Sequence, residues 1–233
     1  MFDANCLKLM FVAGSQDFYH IKGDKNDRIN ALLDALELAL QSKITAFQFR
    51  QKGDLTLHDP IKIKQLALKC QKLCQKYGAP FIINDEVKLA LELKADGVHV
   101  GQEDMAIEEV MALCKKRQFI GLSVNTLEQA LKARHLDGVA YLGVGPIFPT
   151  PSKKDAKEVV GINLLKKIQD SGVKKPLVAI GGITIDNAPQ LREYGGIAVI
   201  SAIAQAKDKA LAVEKLLKMR EELKFHKKHF LKN

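Results

Sequence analysis

Short apolar runs alternate with longer stretches of mixed polarity along most of this chain. The runs Leu7 to Ala13, Ile44 to Phe49, Pro80 to Ile83, Gly97 to Val100, Phe119 to Val124, Tyr141 to Val144, Pro176 to Ile180 and Ile197 to Ile200 predict eight buried strands. Between the first two, Ile29, Leu32, Leu33, Leu36 and Leu40 recur at three-and-four spacing, which predicts an amphipathic helix from Asp27 to Gln41. Similar patterns cover Pro60 to Tyr77, Met105 to Lys116, Thr126 to His135, Asn163 to Gln169, Ala188 to Tyr194 and Ala206 to Leu223. Strands alternating with helices across short connections predict parallel pairing through right-handed crossovers.

Eight such units predict a (β/α)8 barrel. The 233 residues suit one barrel in a single domain, α/β in class. An open doubly wound sheet is the rival architecture. Against it, the first strand lacks a Gly-x-Gly-x-x-Gly turn, and the glycine pairs fall late, at Gly181-Gly182 and Gly195-Gly196, where barrels build their phosphate site.

Charge changes the picture only locally. The net charge of +9 suits anionic partners, yet much of it lies in Lys215, Lys218, Arg220, Lys224, Lys227, Lys228 and Lys232. That cluster reads as a solvated helical end, continuing into a basic extension from about residue 219. No helix-turn-helix, zinc-finger spacing or aromatic RNA-binding strand accompanies it, which argues against nucleic acid. Cys6, Cys70, Cys74 and Cys114 are too few for a disulfide scaffold. Cys70 and Cys74 lie one helical turn apart without the partners a metal needs, so they read as core or half-buried thiols and the chain as cytoplasmic. No apolar run is long enough to span a bilayer, and a homo-oligomer is left open.

Polar clusters at the strand ends carry the candidate chemistry. Asp85 and Asp104 would leave the tops of the neighbouring third and fourth strands, close enough to share one Mg²⁺ ion through hard oxygen ligands. Each could instead cap a helix. Gln48, Arg50 and Lys52 alternate along the end of the second strand, so they share a face, inward in a barrel. There Arg50 can grip a phosphate with its planar fork while Lys52 adds a compact charge; exposed basic strand ends are the plainer alternative. Lys153 and Lys154 supply further cations on another strand-end loop. Carboxylates, cations and glycine turns together imply two phosphorylated substrates, or one carrying two phosphate groups. His99, inside an apolar strand, reads as a structural imidazole outside the site. Ser123 lacks a nucleophile-elbow motif and reads as a hydrogen-bonding partner of substrate.

The motifs Gln48-Phe49-Arg50-Gln51-Lys52, Ile83-Asn84-Asp85, Gly97 to Asp104, Gly145 to Ala156 and Ala179 to Ile183 resemble, in order and spacing, those of the thiamine-phosphate synthase family. The resemblance implies a transferase of thiamine biosynthesis. It would join 4-amino-2-methyl-5-hydroxymethylpyrimidine diphosphate to 4-methyl-5-(2-hydroxyethyl)thiazole phosphate, or its carboxylated form, and release pyrophosphate. By motif, Asp85 and Asp104 resemble ligands of one Mg²⁺ per active site. The run Gln48, Phe49, Arg50, Gln51, Lys52, with Asn84, Ser123 and Lys153, resembles the pyrimidine-diphosphate site, Gln48 and Ser123 lying nearer the ring. Thr150, Pro151, Ser152, Gly181, Gly182, Ile200 and Ser201 resemble the thiazole-phosphate site, the last two acting largely through backbone. Arg50, Lys52 and Lys153 would meet the charge on departing pyrophosphate. Three positions depart from the family pattern: Gln51 for a common glutamate, Ser152 for threonine and Glu86 for a frequent arginine. Strand alternation should turn Gln51 outward, and Ser152 keeps its hydroxyl. The rivals are the related thiazole tautomerase, which uses a histidine where this chain has Ser123-Val124-Asn125, and a non-catalytic sensor of thiamin precursors.

Overall fold

The chain closes on itself through eight parallel strands in sequence order. A computed structural model describes residues 2–115, 117–150 and 158–218. The strands are β1 (Leu9–Ala13), β2 (Ala46–Phe49), β3 (Phe81–Asn84), β4 (Gly97–Val100), β5 (Phe119–Val124), β6 (Val139–Val144), β7 (Leu177–Ile180) and β8 (Gly196–Val199). Each pairs with the next, and Leu9 opposite Ile197 joins β1 to β8, so a (β/α)8 barrel forms without a free sheet edge.

The twofold period of the strands divides the core. Leu9, Phe11 and Ala13 face outward into the layer under the helices, together with Phe47, Phe49, Phe81 and Ile83. Met10 and Val12 face inward and meet Ala46, Ile82, Tyr141, Val178 and Ala198 in the barrel centre. A residue's parity therefore decides whether it packs against helices or reaches the barrel axis.

Local chemistry sets the helix limits. Helix α1 (Lys25–Gln41) begins before the expected Asp27, because Asp24 accepts from the amides of Asn26 and Asp27 while Asp27 returns a carboxylate to the Asp24 amide. Helix α2 (Pro60–Tyr77) starts with Asp59 as cap and Pro60 in its first turn, and ends at left-handed Gly78. Helix α3 (Val87–Glu92) fills a connection for which the apolar pattern predicts none. It is followed by α4 (Ile107–Cys114), α5 (Leu127–Ala133) and α6 (Gly161–Asp170). The helix expected from Ala188 to Tyr194 is instead a 3-10 turn, Ala188–Leu191, opened by Pro189.

After β8 comes the short helix α7 (Ser201–Ala204), then α8 over residues 209–218. The expected single helix from Ala206 thus begins later, with the Asp208 carboxylate accepting from the Leu211 amide. The basic extension from about 219 lies outside the described residues. Cys70, Cys74 and Cys114 are buried free thiols, and burial pushes the ionisation of all three upward. Among the described residues no helix is long and apolar enough to cross a membrane.

Candidate active site

Strand parity brings the polar residues to the carboxyl ends of the strands. A cavity there is lined by Arg50, Lys52, Asn84, Asp85, Asp104 and Ser123, and on its other side by Thr150, Gly181, Gly182, Ile200 and Ser201. Gln48 lies deeper, in the barrel interior beside Asn84, His99, Ser123 and Tyr141. The cavity therefore has a charged mouth above a polar floor.

Two residues of the expected site are not brought to it. Phe49 has the opposite parity to Gln48 and Arg50 and packs in the outer layer near Phe81. Gln51 also turns away, and its amide oxygen accepts from Thr56 Oγ1 at 2.6 Å and from the Leu57 amide at 3.3 Å. Its work is to shape the loop after β2. Pro151, Ser152, Lys153 and Lys154 lie outside the described residues.

The mouth is organised by one cation and two carboxylates. Lys52 Nζ donates to Asp85 Oδ2 at 2.9 Å and lies 3.7 Å from Asp104 Oδ1. The Gly101 amide donates to the other Asp104 oxygen, Oδ2, at 2.7 Å, fixing the carboxylate on its loop. Asp85 holds a left-handed backbone, φ 62°, with its amide donating to the His99 carbonyl at 2.8 Å. Left-handed aspartate is uncommon outside turns and sites, and here it aims the carboxyl across the mouth.

The two carboxyls are shifted in opposite directions. Burial, then a hydrogen bond and like charge from Asp104, raise the Asp85 pKa against the opposing pull of Lys52. For Asp104, burial pushes upward but is outweighed by bonds from Asp85 and the Gly101 amide and by the charge of Lys52, so its pKa falls.

Such a pair fits a hard divalent cation. Lys52 already shows that both carboxylates can address one positive charge. Among the described residues no group of three or more His, Cys, Asp and Glu side chains gathers for a metal. Two carboxylates suffice for Mg²⁺, which keeps several waters and takes phosphate oxygens as further ligands. Glu86, the third carboxylate of the sequence motif, is exposed at the start of α3 and absent from the cavity lining; Glu103 lines it instead.

Beneath the mouth is a histidine that the sequence reading left out. His99 is 8% exposed, and its ring nitrogens lie 2.9 Å from Tyr141 Oη and 2.8 Å from Ser123 Oγ. The imidazole is hydrogen-bonded, as expected, but it also lines the cavity. Its signal was parity: His99 lies two residues from both Gly97 and Gly101, on the inward side of β4.

Fold and cavity together define an enzyme of the (β/α)8 class whose site combines paired carboxylates, cations and glycine turns at the strand carboxyl ends. The family described as thiamine monophosphate synthase matches residues 18–203, and the chain belongs to it. Over 217 residues it is 89% identical to a thiamine-phosphate synthase of Helicobacter pylori strain 26695, covering 93% of this chain and 99% of that one. A thiamine-phosphate synthase of Pasteurella multocida strain Pm70 is 51% identical over 213 residues, 91% of this chain and 95% of its own. Among solved structures, a thiamine phosphate pyrophosphorylase from Pyrococcus furiosus superposes with a TM-score of 0.78 at 36% identity, covering 94% of this chain and 98% of that one.

Proposed function

We propose that this cavity performs the family's alkyl transfer, with the diphosphate of the pyrimidine substrate at the charged mouth and its ring on the polar floor. The observation that carries this reading is the convergence of Lys52, Asp85 and Asp104 directly above Gln48, His99 and Ser123. Membership of the family makes the chain a transferase of thiamine biosynthesis.

In the reaction, the bond between the pyrimidine methylene carbon and the diphosphate oxygen breaks, and pyrophosphate leaves with the electron pair. The 4-amino group feeds electron density into the methylene cation. The thiazole nitrogen then donates its lone pair to that carbon, and thiamine phosphate forms. No side-chain nucleophile and no proton transfer are required.

Arg50 and Lys52 hold the diphosphate and meet the charge that grows on it, positioned before the bond breaks. Lys153 has the same role by resemblance. Asp85 and Asp104 would hold Mg²⁺, which when bound neutralises phosphate charge and makes pyrophosphate a better leaving group. Asn84, Gln48 and Ser123 orient the pyrimidine. The backbone around Gly181 and Gly182, with Ile200, Ser201, Thr150 and, by resemblance, Pro151 and Ser152, receives the thiazole phosphate. Confining both substrates in one cavity makes capture of the cation faster than its loss to water. The reading is that of a small-molecule enzyme working in the cytoplasm, folded as one barrel domain with a basic carboxyl-terminal extension.

Calorimetry of inorganic pyrophosphate binding tests the mouth directly. With Mg²⁺ present, wild-type protein should bind at least about tenfold more tightly than without it, and Asp104→Asn should erase that difference. Equal affinity with and without Mg²⁺ in the wild type would overturn the assignment.

A further inference from the structure

The polar floor of the barrel has a direction built into it. Tyr141 Oη, His99 and Ser123 Oγ form a continuous chain through contacts of 2.9 and 2.8 Å, leading from the closed interior to the cavity. The barrel makes room for that chain. A Cβ on Gly121 would lie 2.2 Å from Tyr141 Cζ and 2.4 Å from His99 Nδ1, and one on Gly143 would lie 2.9 Å from His99 Cε1. Gly121 stands opposite Tyr141, and Gly143 opposite Ser123, in the β5–β6 register. Two glycines where a barrel core normally stacks branched side chains leave a slot shaped for the phenol and imidazole.

Burial fixes where the protons sit. Tyr141 is 1% exposed, and desolvation pushes its ionisation upward, so the phenol keeps its proton and needs an acceptor. The Gln48 amide lies beside it in the barrel interior, and its Nε2 donates to Met10 Sδ at 3.6 Å. Nδ1 of His99, 2.9 Å from the phenol oxygen, can be that acceptor. A neutral imidazole accepting at Nδ1 carries its proton on Nε2, and therefore donates to Ser123 Oγ. With the hydroxyl oxygen of Ser123 accepting from His99, its own proton is left available to the cavity that it lines.

We propose that Tyr141 and His99 form a directed relay that fixes the hydroxyl of Ser123 as a donor toward a ring nitrogen of the aminopyrimidine. His99 is then a positioning residue for that substrate. The inference rests on the floor's being the pyrimidine site, as proposed above. A hydrogen bond to a ring nitrogen is already made in the ground state, so its loss should appear in KM for the pyrimidine diphosphate more than in kcat.

Two measurements test the relay. Nitrogen NMR of the substrate-free protein should show His99 protonated at Nε2 with Nδ1 accepting. In steady-state kinetics, His99→Leu should raise KM for the pyrimidine diphosphate about tenfold, while KM for the thiazole phosphate stays within about twofold. His99→Gln, which returns an N–H donor near the Nε2 position, should recover most of that loss. Ser123→Ala should match His99→Leu, and the double variant should be no worse than Ser123→Ala alone.

A proton on Nδ1, penalties that multiply in the double variant, or equal rises in both KM values would overturn the proposal. Tyr141→Phe keeps the ring but removes the phenol donor, and should show an intermediate KM with a mixed tautomer; an unchanged tautomer would also count against the relay. Absence of turnover in the wild-type enzyme would defeat the reading of the site, whereas the tautomer is measured without substrate and tests the relay separately.

Discussion

Asp85 concentrates two costs in one residue: a left-handed backbone and a half-buried carboxyl facing another carboxyl. Asparagine tolerates the same φ and carries no charge. Asp85→Asn should therefore raise the thermal midpoint of the metal-free protein at pH 7.5 by roughly 2–4 °C while lowering turnover at least about a hundredfold. The sign with pH follows from the raised pKa. A carboxyl raised in the folded state contributes most below its unfolded pKa of about 4, and that contribution is lost as pH rises through the folded value. The gain from Asp85→Asn should accordingly shrink toward pH 4, which melting curves at two pH values would show. The opposite shift of Asp104 adds stability above its unfolded pKa and loses it as pH falls.

Residue chemistry was legible in the sequence wherever strand parity decides it. Gln48, Arg50 and Lys52 reach the interior or mouth because alternate residues share a face. The same rule turns Phe49 and Gln51 away, although the motif containing them reads as one binding run. That His99 also lines the cavity was not legible, because its neighbours Val98 and Val100 mark a buried strand without saying what stands across the barrel. Tyr141 and Ser123 are 42 and 24 residues away from it, and only closure brings them within hydrogen-bonding distance.

At the scale of elements, the strand ends place the chemistry and the turns admit the ligands. Gly181 and Gly182 have φ of 98° and 63°, and a Cβ on Gly182 would meet the Pro149 carbonyl oxygen at 2.4 Å. Gly182→Ala should raise KM for the thiazole phosphate more than about tenfold and lower stability by on the order of 1–3 kcal/mol. Gly78, at the end of α2, has a similar φ of 70° but open space around its Cβ position. Gly78→Ala should cost only about 1 kcal/mol and leave both KM values unchanged. Equal effects of the two substitutions would show that the crowding at Gly182 has no bearing on substrate.

Long periodic elements were the readable ones. Helix α2 matches its expected limits because Asp59, Pro60 and Gly78 state both ends. Helix α3 escaped because six residues cannot display the seven-residue recurrence of an amphipathic stripe, and Glu86 supplies no side-chain cap. The last connection was misread for a related reason. Ser201–Ala204 is a single turn, and the apolar pattern alone does not locate the break before Asp208.

The whole molecule converts eight separate strand ends into one site. Residues from β2 to β8 and their loops line the cavity, while Met10 of β1 reaches the interior beneath it. A ligand held there is coupled to closure of the barrel rather than to one loop. Saturating Mg²⁺ and pyrophosphate, at about a hundred times their dissociation constant, should add about 2.7 kcal/mol and shift a single melting transition by roughly 5–10 °C. A shift confined to an early partial transition would mean that the site opens independently of the barrel.

The central claim is that Asp85, Asp104 and Lys52 form the diphosphate end of a transferase site. Its most direct test incubates purified protein with the pyrimidine diphosphate, the thiazole phosphate and Mg²⁺ and follows both products, alongside folded Asp104→Ala. Thiamine phosphate and pyrophosphate should appear in equal amounts, require the metal, and fall at least about a hundredfold in the variant. Wild-type protein that folds and binds both substrates yet forms neither product would contradict the claim, as would full turnover by Asp104→Ala.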